Sequence, residues 1–448
     1  MYVRFWGTRG SIATPGPQTA RYGGNTSCVE VHTDDGTRII LDCGTGARAL
    51  GRHLLRCEER PLRLHLFIGH THWDHIQGFP FFDPAFLPDT ELHIYAPRSF
   101  QYSLEDTLAG QMQYAYFPVK LADLRSCLHY TEVEEGCFWV GNVLVSTQYL
   151  NHTAPTIAYR LFNAGATLTY VTDHEPFWNP TDRPFRHPGD QRHIDFLTGS
   201  DLIIHDAQYT PEEYRSKVGW GHSTTEYATD VALAAGAARL ALFHHDPGHD
   251  DRSMQAIEET VRDRIAANKG ALEVFAAAEG MALRLHGRGI TPPVAEASAL
   301  QRRSIAGGRV MVVSADELQA ASIARMLAED ELVLRRVPNC HMALALAPTM
   351  APDLVIINQG LPDGDGIPLM RALRTQLRRR NLPIILLTDG VDGEVSTADD
   401  LAAASDYLAT PMSLPMLRTR VRTCLMRTLS QSPTRSRRQP RCTQRARS

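Results

Sequence analysis

The sequence lacks several features that mark broad classes of protein. It contains no run of about 18 apolar residues, so we expect no membrane-spanning helix. Residues Met1–Ser11 contain no long apolar stretch, which argues against a secretory signal. None of the eight cysteines forms a Cys-x-x-Cys pair, which argues against a zinc ribbon or a redox motif. We therefore expect a cytoplasmic protein with reduced thiols and no membrane contact.

Acidic residues are absent from the C-terminal end of the chain. Residues 427–448 contain seven arginines and no Asp or Glu, so the formal charge of −4 leaves −11 for the residues before Arg427. A net negative charge on this part of the chain disfavours extended contact with a long polyanion. Because Arg, Ser, Gln and Pro offer little to bury, residues 428–448 are predicted to be a basic disordered tail, capable of at most weak RNA contact.

The rest of the chain has the composition of a folded protein. It has 448 residues, of which 43% are hydrophobic and 21% charged, enough for two or three domains with their own cores. The segment 287–308 is rich in Gly, Pro, Ala and Ser and is predicted to be a linker. It separates a domain at 1–286 from a second domain at 309–427.

The first domain alternates short β-rich runs with turn signals, and two later segments have helical spacing. The predicted strands are Val3–Trp6, Cys28–His32, Arg38–Asp42, Leu62–Ile68, Asn142–Leu150, Thr156–Leu161, Thr167–Thr172, Asp201–His205 and Arg239–Phe243. The predicted helices are Thr224–Gly236 and Ser253–Asn268. Many strands with helices between and after them indicate sheets covered by helices.

The second domain has a different rhythm, in which strands and helices alternate strictly. Its predicted strands are Arg309–Val313, Leu332–Arg336, Leu354–Ile357 and Ile384–Leu387. Such a βαβα alternation is typical of a doubly wound parallel sheet.

The strongest chemical signal is Gly69-His70-Thr71-His72-Trp73-Asp74-His75, which follows an apolar strand. In an extended segment His70 and His72 point the same way, so both can bind one cation. After the chain turns, Asp74 and His75 can face a second cation. Imidazole and carboxylate ligands suit Zn²⁺. The alternative is a histidine-rich surface loop, which the preceding strand disfavours.

Further ligand candidates follow other predicted strands. His152 follows the strand that ends at Leu150, Asp173 follows Thr167–Thr172, and the pair His244 and His245 follows Arg239–Phe243. A single histidine at a strand end is usually a hydrogen-bonded polar residue. Several of them, each ending an apolar strand, indicate a site gathered at one edge of a sheet sandwich.

The motif His-x-His-x-Asp-His resembles the mark of the metallo-β-lactamase superfamily, in particular its phosphodiesterase branch, which includes ribonuclease Z and cyclic-nucleotide phosphodiesterases. The resemblance implies an αββα sandwich and two divalent metal ions, Zn²⁺ or alternatively Mn²⁺. It also implies a ligand set of His70, His72 and His152 for one ion, Asp74, His75 and His244 for the other, and Asp173 between them. His245 remains an alternative to His244, which we prefer because it directly follows the strand.

Two further stretches resemble the same branch. His205-Asp206-Ala207-Gln208 is similar to the His-Glu-Ala-Thr stretch of ribonuclease Z, and His222-Ser223-Thr224 is similar to its His-Ser-Thr stretch. The resemblance implies that Asp206 orients His222, which assists at the scissile phosphate. Together with Asp74, these are the predicted catalytic residues. The alternative is that Asp206 caps a turn and His222 only precedes a helix.

These residues predict a dinuclear hydrolase. Two ions can activate a water molecule and neutralise a phosphate, and a histidine can protonate the leaving alkoxide. The acidic body favours a small phosphodiester such as a cyclic nucleotide. The alternatives are a tRNA 3′-end-processing ribonuclease and a non-catalytic binding or scaffold protein. Aromatic residues could cap a nucleotide base or pack in the core: Tyr102, Tyr114, Tyr116 and Phe117.

Residues 309–427 resemble response-regulator receiver domains, on the stretches Pro352–Ile357, Leu361–Gly366 and Asp406–Pro411. Relative to that family, the phosphoacceptor aspartate is replaced by Asn358, the acidic pair by Ser314-Ala315 and the lysine by Thr410. Thr388 keeps the usual threonine. This pattern predicts a pseudo-receiver, since an amide neither accepts a phosphoryl group nor ligates Mg²⁺ as a carboxylate does. We expect it to mediate homodimerisation or contact with a protein partner.

Overall fold

The computed structural model describes residues 1–99, 102–177, 185, 187–267, 270–287, 305–389 and 404–430. The chain divides into two compact units: the first contains Met1–Gln301 and Leu387–Arg420, and the second Arg302–Leu386 and Val421–Ser448. Most of the predicted linker at 287–308 and of the predicted tail at 428–448 lies outside the described residues. Within those residues, no helix combines the length and apolarity that crossing a membrane would require.

Two seven-stranded sheets form the body of the first unit. In chain order their strands are β1 (Tyr2–Gly7), β2 (Cys28–His32), β3 (Arg38–Leu41), β4 (Leu62–Phe67), β5 (Thr90–Pro97), β6 (Cys127–Val133), β7 (Gly136–Val140), β8 (Val143–Tyr149), β9 (Ile157–Asn163), β10 (Ala166–Val171), β11 (Leu202–Asp206), β12 (Arg239–Phe243), β13 (Glu273–Ala276) and β14 (Ala282–Arg284). The first sheet has the order β14-β1-β2-β3-β4-β5-β6, and the second has the order β13-β12-β11-β10-β9-β8-β7.

Helices cover one face of each sheet. They are α1 (Ala47–Cys57), α2 (Trp73–Ile76), α3 (Leu104–Gln111), α4 (Pro188–Leu197), α5 (Pro211–Tyr214), α6 (Thr225–Ala234) and α7 (Asp251–Ala267). One buried core joins α1 and α3 to the first sheet, and another joins α4, α6 and α7 to the second. The two remaining faces meet through aromatic pairs, such as Phe67 and Tyr159 with ring centroids 5.0 Å apart. This is the αββα order that the sequence predicts.

The burial pattern of each strand follows its position. In β4 the buried Leu62, Leu64 and Leu66 alternate with the more exposed Arg63 and His65. All six residues of β10 are buried, because its sheet is covered on both faces at this point. Strands such as β2 and β12 match their predicted bounds, whereas β5, β6 and β7 were not predicted from the sequence.

A five-stranded sheet has the order β16-β15-β17-β20-β21, and β15 pairs in parallel with both β16 and β17. Its strands are β15 (Arg309–Val313), β16 (Val333–Val337), β17 (Leu354–Asn358), β20 (Ile384–Asp389) and β21 (Asp406–Thr410), and a small ladder joins β18 (Gly360–Leu361) to β19 (Gly364–Asp365). The helices are α8 (Glu317–Met326), α9 (Cys340–Met350), α10 (Gly366–Gln376) and α11 (Leu414–Ser430). This strand order confirms the doubly wound fold.

Helix α11 crosses the predicted boundary between the second domain and the tail. It continues to Ser430, past the expected start of the tail at 428. The Thr428 hydroxyl donates a hydrogen bond to the Cys424 carbonyl at 2.8 Å, one turn back.

Candidate metal centre

The His70–His75 segment lies where β4 ends and α2 begins. The Gly69 amide donates a 2.6 Å hydrogen bond to Asp42 Oδ1, and a Cβ at Gly69 would lie 2.5 Å from Thr172 Cγ2. Only glycine therefore lets the loop pass so close to the end of β10. His72 has extended backbone angles directly before α2, so the chain turns after it as the motif predicts.

The first group of candidate ligands contains His70, His72, His152 and one oxygen of Asp173. Their ligand atoms all lie within 4.8 Å of one another. Asp173 Oδ2 lies 3.3 Å from His70 Nε2 and 3.6 Å from His152 Nε2. His152 Nε2 lies 3.2 Å from His72 Nδ1. Three imidazoles and a carboxylate oxygen thus surround one point.

The second group contains Asp74, His75, His244 and the other oxygen of Asp173. Asp173 Oδ1 lies 3.1 Å from both His75 Nε2 and His244 Nε2. Asp74 Oδ2 lies 3.2 Å from His75 Nε2 and 3.1 Å from His244 Nε2. Because Asp173 offers one oxygen to each group, its carboxylate is placed to bridge two neighbouring ions.

These donor atoms are better placed to bind divalent cations than to form hydrogen bonds with one another. Among the described residues, Nδ1 of the fully buried His70 has no hydrogen-bond partner, and its Nε2 faces the Asp173 carboxylate 3.3 Å away. His75 Nε2 and His244 Nε2 lie 3.3 Å apart, so two imidazole nitrogens face each other. A neutral imidazole carries a lone pair on one nitrogen, and a cation between such atoms satisfies both. Nitrogen and carboxylate donors at this density fit Zn²⁺ or a similar divalent ion.

The charges of the centre are strongly coupled. Burial alone would raise the pKa of Asp173, but the imidazoles of His244, His75 and His70 hold that pKa well below its usual range. Burial would lower the pKa of His75, yet the carboxylates of Asp74 and Asp173 raise it well above its usual value. Asp173 is therefore an anion, ready to bind cations.

The ring nitrogens of His75 and His152 that face away from the centre are each held by another group. Asp42 Oδ2 lies 2.8 Å from His75 Nδ1 and also accepts a 2.5 Å hydrogen bond from the Tyr170 hydroxyl. The Gly221 carbonyl lies 2.8 Å from His152 Nδ1. Such partners fix the ring orientation and the tautomer of a ligand. No motif in the sequence indicates these roles. Asp42 does follow β3 directly, however, just as the predicted site residues directly follow other strands.

His244, and not His245, belongs to the centre. Its Nδ1 lies 3.1 Å from Gln208 Oε1, whereas His245 Nε2 lies 2.8 Å from the Ala277 carbonyl. His244 has a positive φ of 62°, which swings consecutive side chains to different sides of the chain. A Cβ at Gly10 would lie 2.3 Å from His244 Nδ1, so the neighbouring loop must have glycine there.

His222 and Asp206 form a pair at the edge of the centre. His222 Nδ1 lies 3.1 Å from Asp206 Oδ2, and His222 Nε2 lies 3.9 Å from Asp173 Oδ2. The Asp206 carboxylate also accepts hydrogen bonds from the amides of His174 at 3.0 Å and Ser223 at 3.2 Å. The shorter Asp thus reaches His222. Burial would lower the pKa of His222, but Asp206 and Asp173 raise it to about 9.

An open pocket of about 490 Å³ leads to these groups. Its lining includes Ser11, Trp73, Asp74, Asp173 and His222. The Ser11 amide donates a 2.8 Å hydrogen bond to Asp74 Oδ2. Trp73, which lines this pocket, is 77% exposed, so its indole is accessible to a group entering from solvent.

The four aromatic side chains predicted to cap a base or to pack in the core differ in their exposure. Tyr102, Tyr114 and Tyr116 are exposed, and Phe117 is partly buried against the core of the first sheet. The Phe117 ring lies 5.3 Å from that of the exposed Phe81. Core packing therefore explains Phe117 but not the three tyrosines.

Asn151, the residue before His152, is held by a buried arginine of the first unit. Arg420 Nε donates a 3.0 Å hydrogen bond to Asn151 Oδ1, and Arg420 Nη1 donates one of 2.7 Å to Asp406 Oδ1. The Asn151 amide also donates to the Glu175 carbonyl at 2.9 Å. The backbone that carries His152 is thereby tied to the segment Leu387–Arg420.

Asn358, at the position that resembles a phosphoacceptor, belongs to a hydrogen-bond network of neutral side chains. Asn358 Nδ2 donates a 2.8 Å hydrogen bond to Gln319 Oε1, and the Ser314 hydroxyl donates one of 3.0 Å to the same oxygen. Asp316 instead caps α8, where it accepts hydrogen bonds from the amides of Leu318 and Gln319. The side chains that hydrogen-bond around Asn358 are therefore neutral ones, Gln319 and Ser314.

Comparison with known proteins divides the chain in the same way. The family model of the beta-lactamase superfamily domain matches residues 37–245, and that of the response regulator receiver domain matches residues 310–422. Ribonuclease Z of Haloarcula marismortui is 25% identical over 318 residues, which cover 64% of this chain and 97% of the relative. Ribonuclease Z of Bacillus mycoides is 25% identical over 266 residues, which cover 50% of this chain and 83% of the relative.

Among solved structures, the short form of human tRNase Z is similar with a TM-score of 0.44 and 19% identity. The match covers 64% of this chain and all of the human protein.

Proposed function

Since the chain carries a hydrolase domain of the metallo-β-lactamase superfamily followed by a response regulator receiver domain, we propose that its metal centre hydrolyses phosphodiesters. The observation that carries this proposal is the His222–Asp206 pair beside Asp173, the carboxylate shared by the two ligand groups. A metal centre alone serves many hydrolases, but this pair adds a proton donor for a poor leaving group. The complete ligand set also argues against a purely non-catalytic scaffold.

The residues of the chain would divide the work as follows. His70, His72, His152, Asp74, His75, His244 and Asp173 would hold two divalent ions, Zn²⁺ or alternatively Mn²⁺. When bound, such ions lower the pKa of a water molecule and neutralise charge on a phosphate. The resemblance also assigns Asp74 to catalysis, and its carboxylate lines the pocket.

His222 would donate the proton that the leaving oxygen needs. Its pKa of about 9 keeps it protonated at neutral pH, and Asp206 holds Nδ1 so that Nε2 carries the transferable proton. After the P–O bond breaks, that proton ends on the departing alcohol. The Asp206 carboxylate stabilises the imidazolium before the transfer and orients the ring during it.

For the substrate, we propose a small phosphodiester such as a cyclic nucleotide. The pocket of about 490 Å³ has the volume of a small-molecule site, and the exposed Trp73 indole at its lining offers a stacking surface for a base. The net charge of −11 before Arg427 disfavours long contacts with RNA.

An RNA substrate is the second candidate. It is favoured by the two relatives named Ribonuclease Z, one of which is matched over 97% of its length. Exposed Tyr102, Tyr114 and Tyr116 would add stacking surfaces for unpaired bases, and the arginines of the tail would add weak contacts with phosphates.

One substrate panel separates the candidates. Full-length protein is assayed with cyclic mononucleotides, bis(p-nitrophenyl) phosphate and a precursor tRNA, each with Zn²⁺ or Mn²⁺. We expect cyclic nucleotide hydrolysis at a kcat/KM well above that for the precursor tRNA. Specific cleavage at the tRNA 3′ end without cyclic nucleotide hydrolysis would favour the second candidate, and inactivity on all three would refute a phosphodiesterase. His72→Ala, assayed in parallel, excludes a contaminating enzyme, because it should lose activity on every substrate of the panel.

The receiver domain would act through protein contacts. Asn358, Ser314 and Gln319 form a neutral network, so phosphorylation is not the expected signal. We propose homodimerisation or binding of a protein partner as its role.

A further inference from the structure

A second group of metal-binding side chains lies on the first sheet, away from the centre described above. Glu91, His93 and His129 bring one carboxylate oxygen and two imidazole nitrogens within 4.8 Å of one another. They stand on β5 and β6, where His93 pairs with His129 in register and Glu91 pairs with Cys127. Nothing in the proposed phosphodiesterase mechanism uses them.

The register of the parallel strands determines this arrangement. His65 on β4 pairs with His93 on β5. His65 lies five residues before His70 in the chain. At about 3.3 Å per residue, the group lies roughly 15 Å or more from the His70 end of the sheet. An ion bound there would be separate from the phosphodiesterase centre.

The donor atoms converge on one carboxylate oxygen. Glu91 Oε1 lies 2.9 Å from His93 Nε2 and 3.3 Å from His129 Nε2. Cys127 Sγ lies 3.4 Å from His129 Nε2, and the rings of His93 and His129 stack with centroids 4.5 Å apart. Arg63 holds the Glu91 carboxylate in place: its Nε lies 3.1 Å from Oε2, and its Nη2 donates a longer hydrogen bond of 3.4 Å to Oε1.

We propose that Glu91, His93, His129 and Cys127 form a binding site for one Zn²⁺ ion or a similar divalent transition metal. Two imidazoles, a carboxylate and a thiolate make four donors, all of types that zinc takes in tetrahedral sites. Solvent reaches the group, since the side chains of His93 and His129 are 20% and 45% exposed. Because β6 is the last strand of its sheet, the ion would fasten this edge to β5.

Metal counting on the full-length protein tests the site. Chelator-treated protein is equilibrated with Zn²⁺, and bound zinc is measured per chain by elemental analysis. We expect His129→Ala and His93→Ala to bind one equivalent less than the unaltered protein. The control is His53→Ala, which removes another imidazole that lies beside a thiol, with Cys57 Sγ 3.6 Å from His53 Nδ1. His53→Ala should bind as much zinc per chain as the unaltered protein.

The difference of one equivalent does not depend on how many ions the phosphodiesterase centre holds, nor on whether it hydrolyses phosphodiesters. Equal zinc content in the unaltered protein and in His129→Ala would overturn the proposal. Circular dichroism of each variant shows whether the sheet is intact, and hydrolysis of an aryl phosphodiester should remain within about twofold, because the group lies far from the pocket.

Thiol alkylation gives a second readout without any substitution. Cys127 and Cys57 are both exposed and each has one histidine neighbour, but only Cys127 lies beside the Glu91 group. We expect Zn²⁺ to slow alkylation of Cys127 at least about tenfold and to leave Cys57 unchanged, as measured by peptide mass spectrometry. Protection of both thiols, or of neither, would contradict the site.

Discussion

The metal centre and the receiver's acceptor position both resemble known reactive sites, but their side chains differ in kind. Around Asp173, imidazoles and carboxylates face one another, so charged and metal-binding groups are concentrated at one place. Around Asn358, neutral side chains bind one another through Gln319, and Asn358 Oδ1 has no hydrogen-bond partner among the described residues. The first arrangement offers donor atoms that a cation would satisfy, whereas the second offers no negative charge to a cation. A receiver fold can therefore be kept by side chains that lack the charges of a phosphorylation site.

The largest effect on activity is expected from His72→Ala. It removes one imidazole from the first ligand group, and loss of an ion that contributes several kcal/mol should lower kcat/KM on the order of 10⁴-fold or more. Metal content and aryl phosphodiester hydrolysis are measured together. Full activity with unchanged metal content would show that the cluster is only structural.

His222→Ala should have the next largest effect. Both ions should remain bound, but turnover of an alkyl phosphodiester should fall about 10²–10⁴-fold because the leaving oxygen loses its proton donor. With a nitrophenol leaving group, which needs no proton, the loss should be much smaller. Equal losses for both substrates would refute the proton-donor role, and Asp206→Asn should show the same dependence on the leaving group with a weaker effect.

A smaller effect is expected from Arg420→Met. This change removes the hydrogen bond to Asn151 and so loosens the backbone beside His152, which should lower activity about threefold to tenfold. Arg325→Met, on an exposed residue of α8, is the matched control and should change nothing. The variant's thermal midpoint is recorded as well, because Asp406 loses a buried ion pair.

The smallest expected effect is that of a phosphodonor on the receiver domain. Acetyl phosphate should add no phosphoryl group to the unaltered chain, since Asn358 has no carboxylate and its neighbours bind no Mg²⁺. Intact-mass spectrometry checks this. Asn358→Asp is the informative variant: it restores the acceptor but not the acidic pair, so it should also stay unmodified. A hydroxylamine-labile adduct on the unaltered protein would contradict the pseudo-receiver prediction.

The sequence predicts the part of the site that is local in the chain. The His70–His75 motif and the residues that end predicted strands were found because alternation and turn signals are local properties. The preference for His244 over His245 also used a local property, its place directly after β12, and the structure places His244 beside Asp74 and Asp173. The roles of Asp42 and Arg420 depend on contacts across more than 30 and 260 residues, with His75 and Asn151 respectively. The Glu91 group depends on the register of β5 and β6, strands whose pairing the sequence did not reveal.

The span of the ligand set along the chain has a consequence for folding. The first ligand, His70, and the last, His244, stand on opposite sheets and are separated by the strands from β5 to β12. Contacts of such long sequence separation form late, because the entropy of closing a large loop must first be overcome. The centre can thus assemble only after both sheets have docked, and a chain still emerging from the ribosome could not hold the two proposed ions until β12 has been made. Metal uptake would therefore mark completed folding in this domain.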